Sequence, residues 1–292
     1  MLNIVVTGVG GFIGGWVARC LAGRGHNICG LYRNHIADET RQTRGITLSQ
    51  FDLAEEVRLP GQYDALIHCA ADIPGLCDDP VKLVRSNVEG ASCIFTAARN
   101  AGVYTVVNLS SMSVYGNISV PEVTEELQPD SQDVYGQSKI AAERLLDRQC
   151  AEGQFRSGLS IRLPGTVGRG SHHNYLSSVM ERILSNEQVE LHNPDALFNN
   201  IVYVGDLAGF MEQWILRSMV GYFVTNLAAE KPLPIGEVVE AIYDCAGRDP
   251  RITVKDGGKT PFLISLDQAR SLGYAPATVL TSIKSFVNDC IA

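Results

Sequence analysis

A chain of 292 residues is long enough for a full doubly wound domain with a smaller companion, and too short for two large independent domains. A hydrophobic share of 45% with 19% charged residues excludes a disordered protein, and a net charge of −8 with no long basic run excludes an electrostatic nucleic-acid binder. Eight cysteines stand as singletons, which excludes a zinc ribbon or C-x-x-C dithiol site and fits a reducing compartment.

Leu2–Thr7 predicts a strand. No basic leader or cleavage site precedes it, and no apolar stretch reaches the roughly 18 residues that span a bilayer, so a cytoplasmic protein without membrane attachment is expected. Asn27–Tyr32, Ile46–Phe51, Ala65–Ala70, Val103–Ser110 and Leu159–Leu163 continue the series of strands, apolar on both faces as parallel strands covered by helices are. Helical patterns lie between them, most clearly at Pro80–Ala101 and Val134–Glu152. This alternation predicts an α/β fold, a Rossmann-type doubly wound parallel sheet. After Pro164 the texture changes. A Gly-, His- and Asn-containing region holds one predicted helix, Asn174–Ser185, followed by a strand near Ile201–Val204, a helix near Asp206–Met219 and a strand at Tyr222–Asn226. Helices near Ile235–Ala246 and Val279–Cys290 close the chain. The expected division is residues 1–164 as the nucleotide-binding domain, with 201–228 returning to it. Residues 165–200 and 229–292 are expected to form a small C-terminal α/β substrate-binding cap.

Between the first strand and first helix, Gly8, Gly11 and Gly14 spell G-x-x-G-x-x-G. Glycines there permit positive φ and let the backbone approach a pyrophosphate at a helix N-terminus. Phe12 and Ile13 are expected beside the cofactor and to pack the helix on the sheet. At the end of the second strand, an acid would accept from a ribose 2′-OH, whereas a basic residue would pair with a 2′-phosphate. Tyr32 stands at the acidic position and Arg33 follows it. Arginine suits bidentate phosphate binding, so NADP(H) is favoured over NAD(H).

Tyr135 and Lys139 stand four apart near the start of a helix, hence on one face. A nearby ammonium stabilises a phenolate, and the pair can serve as general acid and base. Ser110, Ser111 and Ser113 end the fifth strand, where a hydroxyl can hold a substrate oxygen. His172 and His173 are adjacent, without a carboxylate cluster, so no metal site is expected; His173 and Asn174 are candidates for a polar substrate pocket. His68, inside an apolar strand, reads as a core histidine, and Asp206 as a helix N-cap.

TGVGGFIG, DALIHCAA, SNVEG, SSMSVYG, YGQSK, RLPGTVGRG and NNIVYVGDLAG together make the chain resemble the extended short-chain dehydrogenase/reductases, in particular the NAD-dependent epimerase/dehydratase family, over nearly its whole length. The resemblance implies Ser111 as the catalytic serine, Tyr135 as acid and base, and Lys139 on the nicotinamide ribose. It implies Asp52 and Leu53 near adenine, Ala70 and Ala71 along the dinucleotide, Pro164 by the nicotinamide, and Asn87 as support for the site. It also implies a homodimer through the helices at Pro80–Ala101 and Val134–Glu152. Family 4,6-dehydratases carry an Asp-Glu pair where this chain has Met112 and Ser113, which disfavours dehydration. Met112 also replaces the cysteine of family epimerase-reductases. Pro164-Gly165 and Asn199-Asn200 depart from the UDP-sugar 4-epimerase pattern, so a nucleotide-sugar, with Met112, Ser113 and Asn199 among its expected contacts, would be gripped differently. The expected activity is reduction or epimerisation of a 4-keto nucleotide-sugar. The alternatives are an NADP-dependent reductase of a non-sugar ketone, or a non-catalytic NADP-binding sensor.

Overall fold

A computed structural model describes every residue except Leu53, Ala54, Glu56, Ser218, Lys259 and Ala292. In chain order the elements are β1 (Asn3–Thr7), α1 (Phe12–Gly23), β2 (Asn27–Tyr32), α2 (Asp38–Gln42), β3 (Ile46–Gln50) and β4 (Ala65–His68). Next come α3 (Pro80–Val84), α4 (Gly90–Asn100), β5 (Thr105–Ser111), β6 (Glu122–Val123), α5 (Val134–Ala151), β7 (Ser157–Leu163) and β8 (Gly165–Val167). Then follow α6 (Tyr175–Leu184), β9 (Val189–His192), β10 (Leu197–Phe198), β11 (Ile201–Tyr203), α7 (Val204–Arg217), β12 (Gly221–Asn226) and β13 (Leu233–Pro234). The last are α8 (Ile235–Ala246), β14 (Ile252–Lys255), β15 (Leu263–Ile264), α9 (Asp267–Ser271) and α10 (Val279–Ile291).

The chain forms two compact units. The first comprises Met1–Gly116, Gln128–Arg162 and Ala208–Thr225. Its seven-stranded sheet has the order β12-β7-β5-β4-β1-β2-β3. From β3 to β5 the pairs are parallel, with Val5 opposite both Cys29 and Leu66, and Leu66 opposite Val106. This is the Rossmann-like fold that the β-α alternation predicts. Strand order reverses direction between β1 and β4, and ligands bind outside the carboxyl ends of strands at such a point. Val5, Leu31, Leu66 and Val106 pack one sheet face against Ile94 and Phe95 of α4 and Leu146 of α5. Each such fully buried side chain contributes about 1.5–3 kcal/mol.

The predicted helix Pro80–Ala101 is interrupted. Arg85–Glu89 form one wide π turn between α3 and α4 and turn Asn87 inward, where it is buried. Such turns recur at functional sites. Apolar periodicity carries no trace of a single widened turn.

The second unit comprises Asn117–Leu127, Leu163–Leu207 and Asn226–Ala292. Leu176, Val179 and Ile183 of α6, Val238 and Ile242 of α8, and Ile283 and Phe286 of α10 form its core. Its strands are short and paired in twos. β11, expected to return to the main sheet, pairs instead with β8, Ile201 opposite Gly165. Residues 117–127, read with the first domain, join this unit through β6, which pairs with β15.

Candidate active site

The first unit builds its site from the ends of β1, β2, β4 and β5. Gly8 follows β1 with φ +71°, and a Cβ there would meet Ala70 N and Cα at 2.9 Å, so glycine alone lets this turn lie against the end of β4. At Gly14 a Cβ would stand 2.3 Å from Gly8 O, so α1 packs directly on its own turn. Gly11 differs. Its Cβ would meet only Gly8 O, at 3.4 Å. Gly11 is also the N-cap of α1 and offers no side-chain cap to the helix N–H groups, which therefore suit an anion. This glycine cradle fits a pyrophosphate. Phe12 and Ile13 are only half-buried; Val17, Ala18 and Leu21 pack α1 on the sheet instead, because they lie one to three turns further along the inward face.

A cleft of about 260 Å³ opens beside the cradle, lined among others by Gly8, Gly11, Arg33, Asp52, Ala70 and Ala71. Thr7 Oγ1 accepts the N–H groups of Cys69 (3.1 Å) and Ala70 (3.0 Å), so its hydrogen goes to His68 Nδ1, 2.9 Å away. That hydroxyl ties the end of β1 to the end of β4 and places the two alanines. His68 is the core histidine expected. Arg33 donates to both oxygens of Asp72, at 2.8 and 3.2 Å. Leu53 lies outside the described residues.

Ser111 ends β5, and a 3₁₀ turn, Met112–Tyr115, follows it. Ser111 Oγ accepts from Ser113 N and donates to Ser113 Oγ, each at 3.1 Å. Met112 and Ser113 are half-buried beside it. Asp133 caps α5 by accepting from Gly136 N at 2.8 Å, and Ser131 donates to the same carboxylate. A Cβ on Gly136 would lie 2.5 Å from Ser113 O, so glycine at this place lets the first turn of α5 sit on the serine turn. Tyr135 thereby lies near Ser111, whose hydroxyl favours its ionised form. Lys139 Nζ stands 5.6 Å from the Tyr135 ring centroid and donates to Leu109 O at 3.0 Å.

The electrostatics correct one expectation. Burial pushes the Tyr135 phenol up to about 12, opposed by Ser111, rather than the lysine pulling it down. The reason is geometric: the ammonium lies over the ring and is held by Leu109 O. Lys139 itself is pushed down to about 8 by burial, against the opposing influence of Cys69 and Glu143.

Sequence reasoning missed the buried polar group beneath this trio. Glu143, one turn beyond Lys139, pairs bidentately with Arg162 of β7 at 2.7 and 3.0 Å. It also accepts from Ser110 at 2.5 Å, and Arg162 donates to Tyr115 at 2.8 Å. Both ions are about 5% exposed, so their hydrogen bonds offset a large desolvation cost. They join β5, the serine turn, α5 and β7. The i+4 spacing from Lys139 was the available signal. Asn87 holds Asp72 by both main-chain atoms, at 2.8 and 2.9 Å, and donates to Ser138 at 3.0 Å.

In the second unit, Pro164 stands between β7 and β8. Two candidate substrate residues have structural duties. Asn174 N-caps α6 by accepting from Ser177 N and donates to Thr166 O. Asn199 is buried, donating to Ile264 O at 2.8 Å and accepting from Ile264 N at 3.0 Å. His173 is exposed, with φ +55°, its ring edge-on to His172. Asp206 lies inside the first turn of α7, not at its N-cap, because the helix begins at Val204. Among the described residues no group of three or more His, Cys, Asp or Glu could hold a metal ion, and no helix is long and apolar enough to cross a membrane.

The model of the NAD dependent epimerase/dehydratase family matches residues 4–219. The chain belongs to that family. It is an enzyme of the extended short-chain dehydrogenase/reductase type, whose cofactor is a nicotinamide dinucleotide. A curated relative, dTDP-4-dehydro-6-deoxy-D-allose reductase of Streptomyces sp, is 26% identical over 95% of this chain and 87% of its own. The solved structure of MoeE5 with UDP-glucuronic acid and NAD superposes with a TM-score of 0.80 at 24% identity, covering 99% and 97% of the two chains. RMD from Pseudomonas aeruginosa, complexed with NADPH, gives 0.77 at 23% identity, covering 99% and 98%.

Proposed function

We propose that this family member reduces or epimerises a 4-keto nucleotide-sugar, with Tyr135 as acid and base, Ser111 orienting the reacting oxygen and Lys139 binding the nicotinamide ribose. The observation that carries the reading is the packing of the first turn of α5 on the serine turn at the end of β5, which sets Tyr135 near Ser111, with Lys139 Nζ 5.6 Å from its ring centroid. The substrates named for the reductase and the MoeE5 complex support the nucleotide-sugar class. Met112 and Ser113, where a dehydratase would place an acid and a base, support reduction or epimerisation over elimination. The glycine cradle would hold the pyrophosphate, Asp52 and the two alanines would flank the adenosine half, and Pro164 would stand by the nicotinamide. Arg33, lining the cleft at the end of β2, favours NADP(H) over NAD(H).

When bound, the dinucleotide supplies or accepts the hydride. The chain handles the proton. With its phenol pushed up to about 12, Tyr135 is protonated at neutral pH, the form that an acid needs in the reductive direction. Ser111 holds the carbonyl oxygen while Tyr135 donates to it. The phenolate left behind is favoured by the Ser111 hydroxyl. In the oxidative direction the same hydroxyls work in reverse, and epimerisation uses both directions with the keto sugar turning between them.

Tyr135→Phe is expected to lower turnover of 4-keto sugar nucleotides by about 10²–10⁴-fold in a nicotinamide-absorbance assay, while calorimetric binding of NADPH persists. Turnover retained at the unaltered rate overturns the assignment. A second reading, a reductase of a non-sugar ketone, is favoured by one observation: Asn199 is buried and holds the Ile264 backbone with both ends of its amide, a structural duty in place of a diphosphate contact. The same assay with aryl and alicyclic ketones separates the two. We further propose a cytoplasmic homodimer, consistent with eight free cysteines and with the exposed valines of α3.

A further inference from the structure

We infer that Asp72 sets the cofactor's phosphate preference, because it holds the Arg33 guanidinium in the two-pronged grip that a 2′-phosphate would need. The inference rests on the dinucleotide reading above and concerns one pair of side chains lining the cleft.

The two residues lie 39 apart in sequence, at the ends of β2 and β4, and both line the cleft. Guanidinium recognises carboxylate and phosphate through the same planar fork, so the two acceptors compete for one face. The carboxylate is the fixed partner. Its side chain is 11% exposed against 39% for Arg33, and the nearby Ser86 hydroxyl favours its charged form as well. Asn87 fixes the Asp72 backbone at both its N–H and its carbonyl, which anchors the carboxylate's point of attachment beside Arg33. Asp52 adds a second negative charge near the guanidinium, while Lys82 is the one further cation acting on Asp72 among the described residues. A 2′-phosphate therefore meets an arginine already neutralised by Asp72, with another carboxylate beside it. A 2′-hydroxyl meets no such competition. Arg33 alone would read as a strong NADP determinant; Arg33 gripped by Asp72 reads as a weak one.

The test is calorimetric binding of NADPH and NADH to the full chain and to its Asp72→Asn, Asp72→Ala, Arg33→Ala and Arg33→Ala/Asp72→Asn variants. The expected result is a rise of about tenfold in the NADPH preference, measured as the ratio of the two Kd values, in both Asp72 variants, with the NADH Kd little changed. The rise should vanish in the double variant, since the arginine is what Asp72 withholds. An unchanged or lowered NADPH preference in the Asp72 variants overturns the inference while leaving the dinucleotide reading intact. Binding of neither dinucleotide by the unaltered chain overturns that reading, and this inference with it. Agreement between Asn and Ala guards against a variant that merely folds poorly.

Discussion

At the scale of single residues, His68 shows how the fold fixes a protonation state. It is buried at the end of β4 and accepts the Thr7 hydroxyl hydrogen at Nδ1, which leaves its proton on Nε2. Burial, with the charge of Lys139, pushes it down to about 3. An unfolded histidine takes a proton near 6.5. Between those values the unfolded chain binds the extra proton, so the contribution of His68 to stability is whole above about pH 6.5 and is lost as the pH falls toward about 3. Urea unfolding of the unaltered chain should accordingly weaken between pH 6.5 and 4 more steeply than that of His68→Asn, which keeps an acceptor for Thr7 but cannot titrate. Parallel pH profiles would remove this role from His68. Placements written in local spacing were legible: Tyr135 and Lys139 on one helix from i, i+4, and Ser111 at a strand end. Asp72 and Arg162 were not, because each acquires meaning from a partner on another strand or helix.

The turn from β1 to α1 is where an element decides what its glycines do. Gly11 and Gly14 look alike in sequence, yet their surroundings differ. A methyl at Gly14 would be driven onto Gly8 O at 2.3 Å, a backbone atom that cannot swing aside. A methyl at Gly11 meets one atom at 3.4 Å and then enters the space a pyrophosphate would take. Gly14→Ala should therefore destabilise the chain by about 1–3 kcal/mol or more in urea unfolding. Gly11→Ala should cost about 1 kcal/mol or less and yet weaken NADPH binding at least tenfold. Equal loss of stability in both variants would contradict the assigned division of labour. The glycine spacing was readable because a strand, a turn and a helix fall together in one short stretch. Gly136 was harder: a glycine in the first turn of a helix is unfavourable by propensity, and the approach of Ser131 and of Ser113 O explains it. The π turn at Arg85–Glu89, which aims Asn87 at Asp72 and Ser138, leaves no mark on the apolar pattern.

Over the whole molecule, the β-α alternation of the first half carries its own topology, because parallel strands need helical crossovers and those crossovers have one hand. The second unit lacks that redundancy. Its strands of two to four residues are too short to show a period, and β6 finds β15 across some 140 residues of chain. What the family resemblance implies at this scale, a homodimer through the α3–α4 and α5 helices, draws support from exposure. Val81 and Val84 share a face of α3, three residues apart, and are 75% and 41% exposed. Leu76 precedes that helix and Val134 opens α5, which packs beside it, and both are exposed as well. Four large apolar side chains of this unit are thus left in water, and the homodimer proposed above would cover them. Sedimentation equilibrium should give the unaltered chain about twice its 31.7 kDa monomer mass at micromolar concentration. Val81→Asp/Val84→Asp places two charges in that seam, where desolvation without a partner costs several kcal/mol, so the mass should fall to that of the monomer with the far-ultraviolet dichroism unchanged. A monomeric unaltered chain, or a variant that stays dimeric, would refute association through this surface.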